Sequence, residues 1–466
     1  MTSLDQAAGV NDEPLTERLI DQLVAKYPLD WPLQRSYPSA SQFHQNIQWS
    51  DYICSQADQN DRDKPLSVYI QIPFCNDACH FCACDRIITR ERGVIRRYLD
   101  ALAIEVELKA NLIGESRSVV SLHIGGGTPA YLDRAEITEL MHSVSRYFRL
   151  RSPQLQQHSI ELDPRALSNA TLALLRGVGF NQIRLGVQDF DPRVQEAINR
   201  KQSFTTIAQV VENIRDQGFE RLTIDMMYGL PRQDADSVAA TLEKVISLRP
   251  DQVAYHPYHH LPSRFTNQHN IRRDHLPTAA ATLKLQLLIA QALQASDYRL
   301  IGIDLYALPA LECAVAQPEH AVAHRPQHYL GPMAQDELGF GLAALTRLGD
   351  YQFQNPVELK DYYGQLEARQ IPSFRGHRAT EEDKWRGHII TQLLSNMSLD
   401  LDDYDQLFGI DFPNTFKKEM QQLIDFESDG LVIIEDNRVA VTERGQPFLA
   451  NISKTFDAYH TPPNFA

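Results

Sequence analysis

The chain lacks any long apolar run. No window approaches the ~20 apolar residues that a bilayer crossing needs, and the most apolar helical stretch, Leu287–Leu293, is interrupted by Gln291. The first residues, from Met1 to Glu13, carry neither a basic region nor an apolar core, so no export signal is read there and a cytoplasmic location is expected. Basic charge is also short. Forty-five Lys and Arg against 60 Asp and Glu leave a net charge of −15, which argues against nonspecific nucleic-acid binding, since that needs a basic face. No heptad pattern suggests a coiled coil, and a monomer is expected. Cysteine is scarce, with 6 in 466 residues. Cys54 and Cys313 stand alone and read as ordinary buried thiols.

The remaining four are crowded together, as Cys75, Cys79, Cys82 and Cys84. In a reducing compartment, clustered cysteines read as metal ligands rather than disulfides. The first three have the spacing C-x3-C-x2-C. A loop of that kind can supply three thiolates to one cubane 4Fe–4S cluster and leave one iron open to a small molecule. A structural zinc site is the competing reading of the cysteines alone, but no paired second knuckle follows them.

Hydrophobic content of 43% with 23% charge fits a globular protein of two or three domains at roughly 150 residues each. Residues 1–64 read as an amino-terminal arm with one or two short helices. From Ser67 a rhythm of strand and helix begins. Strands are predicted at Ser67–Ile72, Val119–Ile124, Ser159–Leu162, Gln182–Val187, Leu222–Met227 and Gln252–Tyr255. Helix-length segments lie between them, and Tyr298–Ile303 is a candidate seventh strand after the helix Thr278–Ala295. Six such units predict an α/β fold, a partial (β/α)6-type barrel over 65–309, with its site at the carboxyl ends of the strands.

Chemistry-bearing residues fall at those ends. The cysteine loop follows the first strand, and Gly125-Gly126-Gly127-Thr128-Pro129 the second. Glu161 and Asp163 end the third, Gln188 and Asp189 the fourth, and Asp225 lies in the fifth. His256, His259 and His260 follow the sixth. Glycine there allows close backbone approach. The histidines read as solvated or hydrogen-bonded groups, with haem ligation as the alternative. Beyond 310 a barrel extension and linker runs to 375. A mainly helical carboxyl-terminal domain (376–466) then ends in a hairpin near Leu431–Thr442, a winged-helix-like arrangement read as structural or lid-forming.

In their order along the chain, the cysteine loop, Gly125–Pro129, Ser159–Arg165, Gly186–Phe190, Ile224–Pro231 and the tail helices closely resemble the oxygen-independent coproporphyrinogen III oxidase family. These are radical S-adenosylmethionine enzymes. The resemblance runs from about Pro38 to about Tyr459; Cys84 and the following Arg86–Arg90 narrow it to this branch. It implies that Cys75, Cys79 and Cys82 hold one 4Fe–4S cluster whose fourth iron is chelated by S-adenosylmethionine. It further implies that Tyr69, Glu161, Gln188, Arg200 and Asp225 bind that first S-adenosylmethionine, with Gly126, Gly127 and Thr128 alongside. A second S-adenosylmethionine is implied at Gly126, Gly127, Gln327 and the backbone of Leu345. The implied reaction converts two propionates of coproporphyrinogen III to vinyl groups with loss of carbon dioxide, in haem biosynthesis. A flavodoxin or ferredoxin is the implied electron donor.

Several positions depart from the family pattern. Gln71 replaces a histidine; Leu33-Gln34 stands where the family has Arg-Tyr. Leu305 and Leu308 replace a histidine and an arginine, Pro326 a phenylalanine, and His259 an alanine. The cluster and first-cofactor residues are kept, while groups suited to substrate or second cofactor change. Two other readings follow: a paralogous radical enzyme with another substrate, and a haem carrier of the chaperone branch, against which Cys84 and Thr89-Arg90 count.

Overall fold

The computed structural model describes residues 15–29, 37–56, 64–114, 117–150, 157–311, 313–314, 323–324, 329–330, 336–435 and 437–459. Six consecutive parallel strands form its centre: β1 (Leu66–Ile72), β2 (Ser118–Gly126), β3 (Gln157–Leu162), β4 (Gln182–Gln188), β5 (Arg221–Tyr228) and β6 (Gln252–Pro257). Each expected strand is present. Helices α2 (Arg92–Ile113), α3 (Arg134–Tyr147), α4 (Asn169–Gly177), α5 (Phe204–Asp216) and α6 (Ala235–Ser247) join them. Side chains near the strand ends start these helices. Asp133 and Glu136 form a reciprocal capping box on α3, and Ser168, Ser203 and Asp234 accept from backbone N–H groups at the starts of α4, α5 and α6.

Alternation along the strands separates two faces. In β4, Ile183, Leu185 and Val187 are buried, while Gln182, Arg184, Gly186 and Gln188 are partly exposed on the other face. The buried set joins one continuous core with the crossover helices. The other face is polar because it lines a site rather than a packed barrel interior.

The seventh strand is not where the sequence placed it. Within Tyr298–Ile303 only a short strand forms, β7 (Arg299–Ile301), and it turns back to pair antiparallel with β8 (Leu305–Ala307), which is itself antiparallel to β6. Gly302, at φ +61°, permits that turn. The seventh parallel strand is β9 (Asp336–Phe340), added to the opposite edge against β1. From there β10 (Leu345–Leu348), β11 (Tyr351–Gln354) and β12 (Arg375–Arg378) extend the sheet antiparallel. A buried ion pair fastens this extension: Lys109 lies 2.6 Å from Glu105, and its ammonium also donates to the Gly339 carbonyl at 2.6 Å.

A second core holds the carboxyl-terminal domain, with α7 (Glu381–Asn396), α8 (Lys417–Ser428) and a three-stranded antiparallel sheet of β13 (Ser398–Asp400), β14 (Val432–Glu435) and β15 (Arg438–Val441). This is the expected winged-helix-like hairpin. The arm is built into it. Helix α1 (Glu17–Lys26) contributes Ile20 and Leu23, and the next residue after it, Tyr27, stacks on Phe426 with centroids 4.6 Å apart. Among the described residues, no helix is long and apolar enough to cross a membrane.

Candidate active site

The carboxyl ends of β1 to β5 surround a cavity of about 420 Å³. Cys75, Cys79, Cys82 and Cys84 all border it. Among the described residues, no three His, Cys, Asp or Glu side chains converge closely enough for a single metal ion. A wider ring of thiols facing a cavity suits a cubane, whose liganded irons occupy separate corners. Burial pushes the Cys75 thiol up to about 11, a shift that ligation must reverse, because the thiolate is the ligand. Cys82 and Cys84 lie 2.9 Å apart, sulfur to sulfur, and their mutual hydrogen bond lowers Cys82 and raises Cys84.

The loop carrying these thiols is held from several sides. Gly127 N–H donates to Ile72 C=O and Thr128 N–H to Phe74 C=O, both at 2.8 Å. A Cβ on Gly127 would come within 2.6 Å of the Phe74 oxygen, and one on Gly126, at φ +111°, within 2.6 Å of the Gln71 amide. Gly127 is thus required by the approach of the cysteine loop, and Gly126 by its positive φ. Asn267 was missed in the sequence. Its amide nitrogen lies 3.1, 2.8 and 3.0 Å from the carbonyls of Cys79, His80 and Cys82. An asparagine far along the chain, in the short 3-10 helix Thr266–Asn270, carries no motif that would have found it.

Charged pairs line the cavity floor. Glu161 accepts from His123 Nε2 at 3.2 Å and from Gly126 N–H at 3.3 Å. Burial raises its carboxyl. The His123 hydrogen bond and charge, the Arg184 guanidinium and the Gly126 N–H together outweigh burial and hold it at about 2. Arg184 donates to Asp225 at 2.7 Å. Although burial opposes its charge, the Asp225, Glu161 and Asp304 carboxylates raise it further. Arg200 donates to Asp163 at 3.1 Å and to the Gly186 carbonyl at 2.6 Å, with Nη1 3.6 Å from Cys79 Sγ. Strand alternation placed Arg184 on the same face as Gln188, and His123 two residues before Gly125, so both were accessible to a closer reading of the pattern.

Three buried polar atoms at this cavity have no partner among the described residues: Gln188 Oε1, Arg200 Nε and Arg86 Nη1. Buried polar groups are nearly always satisfied, so their orphaning marks where a polar ligand belongs. One acceptor and two cationic donors match the hydroxyl, ammonium and carboxylate groups of S-adenosylmethionine. The residues present therefore fit both implied groups.

Not all expected residues gather there. Tyr69 lies one layer deeper, its hydroxyl donating to Gln71 and its ring stacked on His123 at 5.9 Å. Leu345 is in β10, paired with Gln354, beside Gly339 rather than on this cavity. Gln327 and Pro326, like Leu33 and Gln34, lie outside the described residues. Asp189 is a correction: it turns away from the site and is fully buried, accepting from Gln233 at 2.6 Å and Thr241 at 2.9 Å. His256 and His260 are hydrogen-bonded, to Asp304 at 2.7 Å and Tyr258 at 2.8 Å.

A partial barrel with three loop cysteines at its mouth and a polar cofactor-shaped cavity defines a radical S-adenosylmethionine enzyme, and the Radical SAM superfamily model matches residues 69–245. The HemN C-terminal domain model matches residues 379–448. The chain is 36% identical over 437 residues to the oxygen-independent coproporphyrinogen III oxidase of Pseudomonas aeruginosa, covering 94% of this chain and 95% of that one. It is 37% identical over 448 residues to that of Salmonella typhimurium, covering 96% and 97%. The solved coproporphyrinogen III oxidase (HemN) of Escherichia coli, a radical SAM enzyme, superposes with a TM-score of 0.87 at 36% identity, over 91% of this chain and 97% of that one. The chain belongs to the oxygen-independent coproporphyrinogen III oxidase family.

Proposed function

We propose that the protein carries out the oxygen-independent oxidation of coproporphyrinogen III to protoporphyrinogen IX, turning two propionates into vinyl groups with release of carbon dioxide. The observation that carries this reading is the cavity of three cluster-spaced thiols and three orphaned polar atoms, in a chain like the named oxidases over nearly its whole length. When bound, a reduced 4Fe–4S cluster with S-adenosylmethionine supplies a hydrogen-abstracting radical.

The chain's own residues do the rest. Cys75, Cys79 and Cys82 would hold the cluster, and Asn267 keeps their loop in shape. Gln188, Arg200 and Asp225 would bind and orient S-adenosylmethionine, with Glu161 kept ionised by its partners. Tyr69 supports this set from behind through Gln71 and His123. The barrel wall would keep water from a reactive centre. A second S-adenosylmethionine would bind by Gly126, Gly127, Gln327 and the Leu345 backbone. We take the protein to be cytoplasmic and monomeric, served by a flavodoxin or ferredoxin. Its parts on this reading are an arm (1–64), barrel (65–309), extension (310–375) and carboxyl-terminal domain (376–466).

The test is an anaerobic assay of reconstituted protein with reductant, S-adenosylmethionine and coproporphyrinogen III. Protoporphyrinogen IX with matching 5′-deoxyadenosine is expected. Formation of 5′-deoxyadenosine without a vinyl product would refute the substrate, and favour the paralogous enzyme suggested by the altered arm at Leu33-Gln34 and by Leu305.

A further inference from the structure

A second cavity, of about 180 Å³, opens where the arm, the last barrel strands and the carboxyl-terminal domain meet, and its ionisable couple, His256 and Asp304, is already joined at 2.7 Å. Unpaired positive charge lies elsewhere, on the open side of the barrel mouth. Cross-strand register carries one face of the sheet from the barrel to its far edge. Tyr69 lies opposite Gly339, Glu337 opposite Arg347, Leu345 opposite Gln354, and Gln354 opposite Arg375. Residues two apart share a face, so Arg375 stands on the same side of the sheet as Tyr69 and Gln71. The antiparallel order of β10, β11 and β12 puts the start of β12, and Arg375 with it, at the mouth. Gln354 Oε1 accepts from Arg375 Nε at 2.7 Å, which fixes the guanidinium and leaves both Nη groups without a partner among the described residues. Phe374, 37% exposed, lies beside that guanidinium at 5.3 Å.

Arg264 comes to the same place from the opposite end of the sheet. It follows β6, three residues before the Asn267 that ties down the cysteine loop. Its side chain is exposed, lies 5.2 Å from the Phe265 ring, and makes no ion pair or hydrogen bond among the described residues. Burial and the Arg264 guanidinium together push Arg375 below its ordinary value, and no carboxylate offsets them. Within the register, the one carboxylate, Glu337, stands away from the mouth and opposite Arg347, whose buried Nε is itself without a partner among the described residues.

On the function proposed above, we infer that Arg375 and Arg264 are a specificity-determining pair that receives one carboxylate arm of the substrate at the open side of the barrel. Two guanidiniums held without a carboxylate, in a chain of net charge −15, are completed by an anion that bridges them. Phe374 and Phe265 offer apolar surface to the body that carries it. Position supports the same occupant. Asn267 links the Arg264 segment to the cysteine loop, so an arm held by the pair keeps the macrocycle beside the cluster thiols. S-adenosylmethionine also bears a carboxylate. Its ammonium and sulfonium leave it with a net positive charge, however, and two guanidiniums with no carboxylate beside them repel such a ligand.

Binding titrations of the reconstituted full-length protein test this. Coproporphyrin III, the oxidised fluorescent tetracarboxylate, should bind Arg264→Gln and Arg375→Gln each roughly tenfold or more weakly than wild type, the loss of a charge-assisted hydrogen bond. Arg264→Lys, which keeps the charge, should recover part of that loss. Coproporphyrin III tetramethyl ester, in one detergent throughout, should bind every variant as it binds wild type. S-adenosylmethionine, followed by equilibrium dialysis, should bind wild type and Arg264→Gln alike. Equal coproporphyrin III affinity in wild type and Arg264→Gln would overturn the inference, as would a loss confined to S-adenosylmethionine or one shared by the ester. The exposed Arg264 side chain gives the fold no hydrogen bond to lose among the described residues, so that variant keeps the test decisive even where Arg375→Gln disturbs β12. Conversion of coproporphyrinogen III with an unchanged KM in Arg264→Gln refutes the pair alone. Carboxylate-dependent binding that weakens in Arg264→Gln, without conversion by wild type, refutes the proposed reaction and leaves the pair standing.

Discussion

The two cavities at the barrel mouth were built in different ways. The larger draws its walls from five strand ends in sequence order, each bringing a short motif, and its charges are paired inside the barrel. The smaller is assembled from three distant parts of the chain, the arm, the last barrel strands and residues near 450. The first depends on one rigid sheet. The second exists only while the two cores are docked. The difference is between a site built on one sheet and a hollow built where two cores meet.

Replacing Cys75, Cys79 or Cys82 singly with Ala should abolish iron–sulfur content and 5′-deoxyadenosine formation, whereas Cys84→Ala should keep iron and sulfide at wild-type stoichiometry by elemental analysis. Retained cluster in Cys82→Ala would end the assignment. Next, Tyr27→Ala removes a buried ring stacked on Phe426 and should cost about 3–5 kcal/mol in the second core. Two-domain denaturation should show that loss in the carboxyl-terminal transition, with iron content unchanged. If both transitions moved together, the two cavities would not be separable.

Asp225→Ala strands the buried Arg184 guanidinium, and breaking such a pair costs about 3 kcal/mol, less here because Glu161 and Asp304 remain nearby. S-adenosylmethionine affinity should fall in the same protein, which equilibrium dialysis can read. The smallest effect is that of pH. Glu161 is held at about 2, below its ordinary value near 4.5, so it contributes stability that is present above pH 4.5 and lost as pH falls toward 2. Unfolding midpoints between pH 5 and pH 3 should therefore fall less steeply in Glu161→Gln than in wild type. Parallel slopes would contradict the His123 and Gly126 contacts.

Much of the first cavity was legible because β-strand alternation and strand-end position are local signals. Glu161, Gln188 and Asp225 each sit where period two places them. Asp189 misled for a local reason too. Gln188 adopts φ +71° where the register shifts against β5, and the next side chain swings into the helix layer to meet Thr241 and Gln233. The seventh strand failed differently. Asp336–Phe340 begins with two acidic residues and has little strand character of its own. Pairing with β1 and the 2.7 Å contact of Asp336 with Arg117 make it a strand. Asn267 and the His256–Asp304 couple are tertiary meetings across long sequence separations, and no spacing rule announces them.

The central claim is that Cys75, Cys79 and Cys82 would hold a cluster, with Gln188 and Arg200 placed to bind S-adenosylmethionine beside it. Electron paramagnetic resonance of the dithionite-reduced protein, recorded before and after S-adenosylmethionine is added, addresses it directly. The account predicts a 4Fe–4S signal whose line shape changes on addition, with a weakened change in Gln188→Ala. A cluster signal that S-adenosylmethionine leaves untouched would contradict it.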